Sequence, residues 1–356
     1  MLLPQQLTAG RATMAHKSMK ALVAAAAVAL VATSCAADDE GGDGTAEGGA
    51  YKVAVLAASA QNGYNQAVYE GVVAGAEDLG LEVDAKILDG GFDATTQLSQ
   101  LQNAATSGEY DGVIVVPHDG PSLTAAFPMA GDLPVVSVLN PIGPDIDELE
   151  PQVEGVVSTV AVSPTAAAER QAEDVVEYCA DLDPCSVMLV VGNLSSPLDV
   201  ARRDAYQSVL EANDNIEIVS TLEGNYDRDQ SLSSVANALQ SHRDVNAILS
   251  NADQMTLGAE VALTNAGIDP STVYLTGGGG TTEALQAVRE GRWAADYINF
   301  PVSMGAAAME QLANAIAGDP VETVVDADAV GPEGVEPYAD ADSLATVEDF
   351  TGEWNG

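Results

Sequence analysis

From residue 51 onward, short apolar runs alternate with segments whose apolar residues recur every three or four positions. KVAVLAA (52–58) is apolar throughout and reads as a strand. Val68, Val72, Ala76 and Leu79 then form a helical stripe that stops at Gly80. The alternation continues through LEVDAKIL (81–88), a helix near Thr95–Ala105, GVIVV (112–116), a helix opened by Asp119-Gly120-Pro121, and PVVSV (134–138). A stretch rich in Pro and acids, 141–153, interrupts it. A second series runs VVSTVAV, helix 164–180, SVMLVVG, helix 198–212, IEIVS, helix 229–241, NAILS, helix 255–266, VYLTG, helix 281–290 and WAADYIN. A helix over 303–317 and a weaker strand, VETVVDA, follow.

Strands that are apolar on both faces, each followed by a helix, predict parallel sheets covered on both sides. The fold class is therefore α/β, and two such series predict two doubly wound parallel-sheet lobes. About 300 residues are too many for one small core, which agrees with two lobes. In the acidic tail from 328 to 356, Phe350 and Trp354 are the expected packing anchors, and Trp293 is assigned to strand packing. Asp93 and Asp119 are read as caps or turn residues. Ligands of such sheets bind beyond the carboxyl ends of the strands, which directs attention to the loops there.

The first 50 residues have a different character. Arg11, Lys17 and Lys20 precede the apolar run Ala21–Val31 and the small residues Thr33-Ser34, the plan of a secretory signal peptide over 1–34. The run is too short to span a bilayer as a permanent helix. Cys35 follows directly and resembles the lipid-bearing cysteine of a bacterial lipobox, although Ala32 stands where Leu is usual. Plain secretion with an incidental Cys35 is the alternative. Residues 35–50, Gly- and acid-rich, read as the lipidated cysteine and a flexible linker. Setting the signal aside leaves 9 of the 12 Lys and Arg against 54 acids, a net of −45. Such a field repels nucleic acid and anionic head groups. Cys179 and Cys185, outside the cytoplasm and close in sequence, predict a disulfide.

The strand-end loops resemble the sugar-binding proteins of bacterial ABC importers, specifically the ribose-binding-protein-like group with a type I periplasmic-binding fold. The resemblance spans roughly 51–325. It is carried by QNGYNQAVYEGVVAGAEDLG, DGGFDATTQLSQLQNAATSGEYDGVIVVPHDG, LPVVSVLN, VGNLSSPLDVARRDAYQ, NADQMTLGAEVALTNAG and EALQAVREGRWAADYINFPVSMG, in that order. It implies lobes of 51–155 with 300–326 and 156–299 with 327–356, joined by a three-segment hinge near 155–160, 298–301 and 326–328.

Residue by residue, Asn62 and Tyr64 match the Asn and aromatic that approach the sugar, and Asn65 stands where a second aromatic is frequent. Arg202 matches the Arg that forks onto ring oxygen and hydroxyls, Tyr226 the aromatic that covers the sugar, and Asn299 the Gln at the crossover. Three positions depart from the pattern. The Asp-Arg pair after the fifth strand becomes Leu139-Asn140, leaving Asn140 as the hydroxyl partner. The expected Asn falls on Ala252, with Asn251 one place early and Asp253 in register, either as a ligand contact or as a helix cap. The Asp expected after VYLTG is Gly279, within Gly277–Gly280. That loop either holds an anion at a helix N-terminus or lets a ligand approach the backbone. The lost carboxylates point away from ribose itself.

Asn, Asp and Arg side chains match pairs of hydroxyls, and aromatic rings cover a sugar's C–H face. The implied function is capture of a monosaccharide or related polyol for an ABC permease, by a monomer tethered to the outer face of the cytoplasmic membrane. A receptor for a furanose-like signal such as autoinducer-2, or a nucleoside binder, is the alternative. No cofactor and no metal are expected. His118 lies near the cleft, but neither a nucleophile with an orienting partner nor metal-ligand spacing occurs in the sequence. A repressor of this fold would need a basic N-terminal DNA-binding segment.

Overall fold

The structure is a computed structural model and describes residues 50–356. The expected signal, Cys35 and all but the last residue of the linker lie outside the described residues. The first series comprises β1 (Tyr51–Ala57), α1 (Gly63–Asp78), β2 (Val83–Asp89), α2 (Ala94–Ser107), β3 (Gly112–Val115), the single turn α3 (Gly120–Leu123), β4 (Val135–Val138) and β5 (Val156–Ala161). The second comprises α4 (Pro164–Cys179), β6 (Cys185–Val191), α5 (Pro197–Glu211), β7 (Ile216–Glu223), α6 (Arg228–Ala238), β8 (Ala247–Ser250), α7 (Asp253–Asn265), β9 (Tyr274–Gly278), α8 (Thr282–Arg289) and β10 (Ala295–Tyr297). Then come α9 (Pro301–Ala317), β11 (Val324–Asp326), β12 (Tyr338–Ala339) and the short α10 (Ala341–Leu344).

Two six-stranded sheets result, ordered β11-β5-β4-β3-β1-β2 and β12-β10-β9-β8-β6-β7. All pairings are parallel except β10 with β12. Strand alternation explains the double covering. Val53 and Val55 pack with Val68 and Val72 of α1 and Met304, Met309 and Leu312 of α9. Ala54 and Leu56 point the other way, onto Leu101 and Ala104 of α2. In the second sheet Met188 and Val190 face α6, α7 and α8, while Val187, Leu189 and Val191 face α4 and α5. Each such side chain contributes about 1.5–3 kcal/mol by leaving water.

One boundary differs from the sequence reading. Residues 156–161, placed there in the second lobe, pair with β4 and β11 and so belong to the first sheet. The chain therefore crosses after Ala161, six residues beyond 155, because the strand completes an existing parallel edge. Several helix starts follow capping rules. Asp93 and Asp119 are indeed caps, accepting from Thr96 N at 2.7 Å and Ser122 N at 2.9 Å. The disulfide Cys179–Cys185 is present and joins the end of α4 to the start of β6. Among the described residues no helix is long and apolar enough to cross a membrane.

The α1–α9 seam fixes the first lobe to the segment returning from the second. There α1 carries Gly71 and α9 carries Gly305; a Cβ on Gly71 would lie 2.0 Å from the Val302 carbonyl oxygen, and one on Gly305 2.1 Å from that of Val68. The helices touch backbone to backbone. Gly71→Ala is expected to cost about 1–3 kcal/mol through this overpacking, seen as a lower midpoint in denaturant unfolding; an unchanged midpoint would contradict the seam.

Candidate functional site

The loops after β1 to β4 and after β6 to β9 face each other across a cleft. Its cavity contains about 620 Å³ of non-atom space, open mouth included, within the range of small-molecule sites. The first lobe contributes Ala58, Asn62, Tyr64, Asn65, Phe92, Val116, Pro117, His118 and Leu139. The second contributes Ser196, Leu198, Asp199, Arg202, Tyr226, Asn251, Ala252, Gln254 and Gly278, with Asn299 from the crossover and Trp354 from the tail.

The second-lobe wall is built around an ion pair. Asp199 and Arg202 sit one turn apart on α5, 3.7 Å between charged atoms, with side chains 1% and 15% exposed. Asp199 accepts from the Tyr226 hydroxyl at 2.5 Å, Asn193 N at 2.7 Å and Asn251 Nδ2 at 3.1 Å. Burial pushes the Asp199 carboxyl up, while Arg202, Tyr226 and Asn193 pull the other way. Its three donors suit a carboxylate. Burial opposes the Arg202 charge, but Tyr226, Asp199, Tyr206 and Tyr64 raise its pKa above the usual value, so the guanidinium stays charged. Asn251 Oδ1 is buried and has no hydrogen-bond partner. Asn251 lines the cavity, so this acceptor belongs to a residue of the wall.

The first-lobe wall is more rigid than hydrogen-bonding. Asn62 caps α1, its Oδ1 accepting from Asn65 N at 3.3 Å and Nδ2 at 3.0 Å. Asn65 Oδ1 accepts from Ala58 N at 3.0 Å. Asn65 thus lines the cavity with its polar atoms engaged in holding the β1–α1 loop. The Tyr64 hydroxyl donates to Met304 Sδ at 3.3 Å, so its ring is what it offers. Buried Gln97 fixes the loop after β3, donating to Val116 O and accepting from His118 N, both at 2.8 Å. Gln171 does the same in the second lobe, donating to Ser250 O at 2.9 Å and Gly277 O at 2.8 Å.

The lobes touch across the cleft. Phe92 stacks on Tyr226 with centroids 5.8 Å apart and planes 18° off parallel. Both residues have positive φ, 53° and 56°, a left-handed backbone that costs non-Gly residues energy. Ser196 occupies the N-cap position of α5, yet its hydroxyl donates to His118 O at 2.9 Å instead of capping the helix. His118 is pulled below its ordinary pKa chiefly by burial, against Asp199, Asp119 and Asp93, and is a neutral imidazole at pH 7. Its Nε2 lies 3.4 Å from Ser195 Oγ, whose proton goes to Asn193 Oδ1 at 2.6 Å. That pair lacks the geometry of an activated nucleophile.

Of the residues expected from sequence, Asn62, Tyr64, Asn65, Arg202, Tyr226, Asn251 and Asn299 line the cavity. Asn140, Asp253 and Gly279 do not. Leu139, with φ 76°, turns into the cavity and Asn140 is buried behind it. Gly278 rather than Gly279 lies on the wall. Asp253 neither lines the cavity nor caps α7, which begins at Asp253 itself with Ala252 at the cap position. Asp253 lies under the glycine loop, accepting from Thr281 N at 2.8 Å, beside Asp296, which accepts from Gly280 N at 3.0 Å. Asp199, Phe92 and Trp354 were missed. Asp199 precedes the recognised Arg202 by three residues, so helical spacing could have signalled it; the other two reach the site through tertiary packing.

Both carboxyls of the Asp253–Asp296 pair are pushed up, first by burial, and Asp296 further by the Asp253 charge. One proton shared between their Oδ1 atoms accounts for two buried, otherwise unpartnered oxygens. The native state then holds a proton that the unfolded chain releases near the ordinary value of 3.8. Stability from this pair is therefore greatest at low pH and falls as pH rises from that value through the raised one. Asp296→Asn, which supplies a permanent N–H donor, is expected to lose less unfolding temperature than wild type between about pH 5 and about pH 8. Equal losses in calorimetry would contradict the shared proton.

Comparison with known proteins agrees with this architecture. Residues 53–320 match the family described as periplasmic binding protein domain. A putative rhizopine-binding protein of Rhizobium meliloti is 29% identical over 245 residues, 67% of this chain and 76% of that protein. The ribose import binding protein RbsB of Escherichia coli (strain K12) is 25% identical over 272 residues, 76% of this chain and 86% of its own length. An ABC transporter solute binding protein from Mycobacterium smegmatis, solved with bound glycerol, superposes with a TM-score of 0.69 at 25% identity, covering 85% of this chain and 99% of the other. Among the described residues no cluster of His, Cys, Asp or Glu is arranged to hold a metal ion. The chain belongs to the periplasmic binding protein domain family, a family of solute-binding proteins rather than enzymes.

Proposed function

We propose that this protein captures a small uncharged polyol, a monosaccharide or cyclitol in size, between its lobes and delivers it to an ABC permease. The observation that carries this reading is the second-lobe wall. It is lined by a charged Arg202, by Asn251, whose buried Oδ1 has no partner in the protein, and by the Tyr226 ring. A hydroxyl both donates and accepts, so vicinal hydroxyls satisfy such a mixed set. Arg202 already has the Asp199 carboxyl beside it at 3.7 Å, and His118 is neutral. A charged guest would leave one charge uncompensated in the interior.

Similarity supports the class of guest: one relative is named for ribose, and the Mycobacterium smegmatis structure holds glycerol, both uncharged polyols. Closure follows from linkage. A ligand touching both walls binds the closed arrangement better than the open one and shifts the population toward it. The closed face then docks on the permease. The reading includes a monomer outside the cytoplasm, tethered through lipid on Cys35, which would keep the captured solute near its transporter.

A thermal-unfolding screen of pentoses, hexoses, cyclitols and nucleosides tests this. A true ligand at about 100 times its Kd stabilises the protein by about 2.7 kcal/mol. Arg202→Ala and Asn251→Ala are expected to weaken that ligand about tenfold or more by calorimetric titration. Wild-type affinity in both variants, or a screen in which none of these compounds raises the unfolding temperature, would overturn the assignment.

A further inference from the structure

The last residues of the chain lie far beyond the matched family segment, which ends at residue 320, yet they reach the cavity. Trp354 lines it while being only 7% exposed. Its position is set from both lobes. On one side the Glu353 carboxylate accepts from Val302 N at 2.9 Å, from Ser303 N at 3.1 Å and from the Ser303 hydroxyl. These are orphan donors at the start of α9, whose own cap residue, Phe300, makes no side-chain cap bond. On the other side Trp354 O accepts from Thr282 N at 3.1 Å, at the start of α8, and the indole Nε1 donates to Gly279 O at 2.7 Å.

The ring is seated between glycines. A Cβ on Gly63 would come within 3.2 Å of the indole, and one on Gly279, where φ is 152°, within 3.0 Å. Tyr64 meets the indole edge-on, with centroids 5.8 Å apart. A tail that merely covered a surface would need neither the cap nor the fitted seat.

We propose that Glu353–Asn355 is a built wall of the binding site, in which Trp354 contacts the ligand and restricts the cavity to single-ring polyols. Glu353 is a positioning residue that holds this wall to α9. The proposal rests on the polyol-binding reading and adds to it the element that sets ligand size. An indole face suits the C–H face of a ring, and its rigid seat leaves no path for a second sugar unit on that side.

The chain has two tryptophans, Trp293 and Trp354. Trp293 is buried away from the cavity, its Nε1 bonded to Glu260 at 2.8 Å. Intrinsic fluorescence therefore separates the tail from the core. The probes are myo-inositol, D-ribose, D-galactose and the disaccharide trehalose, titrated into the protein with its tail intact. A bound single-ring polyol is expected to change the emission in wild type and in Trp293→Phe, and to leave it unchanged in Trp354→Phe. Trp354→Ala is expected to weaken the single-ring ligand about tenfold or more and to narrow its preference over trehalose. Glu353→Gln keeps the indole and is expected to raise its quenching by acrylamide, which also serves if Trp354→Ala does not fold. A wild-type protein that binds none of the probes overturns the functional reading and the wall with it. Binding with the Trp354 emission unmoved, and with wild-type affinity and selectivity in Trp354→Phe and Glu353→Gln, overturns the wall alone.

Discussion

A guanidinium taken out of water must be met by charge and by acceptors, and the second lobe is arranged around that requirement. Asp199 lies one helical turn before Arg202 on α5 and is itself almost wholly enclosed. Burial pushes its carboxyl up, and Arg202 with three hydrogen-bond donors pulls the other way. Those donors come from the loops after β6, β7 and β8, so one buried charge fixes three strand ends. The wall is thus ordered before any ligand arrives, and the ordering entropy of these groups is not left to the binding step. What remains free is small and specific: the outer face of Arg202, the unpartnered oxygen of Asn251 and the ring of Tyr226.

The first lobe follows a different logic. Its amides, Asn62 and Asn65, shape the loop after β1 more than they offer bonds, and its cavity face is largely rings and aliphatic groups. A ligand therefore finds polar recognition on one jaw and an apolar face on the other. Between the jaws stand the Phe92–Tyr226 stack, the Ser196–His118 bond and the tail contacts of Glu353 and Trp354 with α9 and Tyr64. Such an interface suits a clamshell whose closed state gains most of its advantage from the guest.

Much of this was legible in the sequence, for physical reasons. Runs such as KVAVLAA can only be buried strands in a sheet covered on both sides, and Gly80 and Asp93 mark helix ends by backbone geometry and capping. Tyr226 stands out because a chain poor in aromatics spends it in a strand-end loop, and Arg202 through the motif it shares with the sugar-binding family. The misses have equally physical causes. VVSTVAV carries no mark of which sheet it will join, since both sheets offer a parallel edge. Leu139 and Asn140 exchange roles because a positive φ turns the backbone by one residue. Asp253 pairs with Asp296, 43 positions away, a contact that no local pattern announces. Trp354 reads as a packing anchor from sequence, and it does pack, but against the ligand cavity.

The central claim is that an uncharged polyol binds between the lobes, hydrogen-bonded on the second and covered by the first. A crystal structure of the protein with its best-binding polyol tests it most directly. The account predicts ring hydroxyls within hydrogen-bond distance of the Arg202 guanidinium and Asn251 Oδ1, with Tyr64 or Trp354 against the ring's C–H face. A polyol seated outside the cleft, or one that leaves Arg202 and Asn251 untouched, would contradict it.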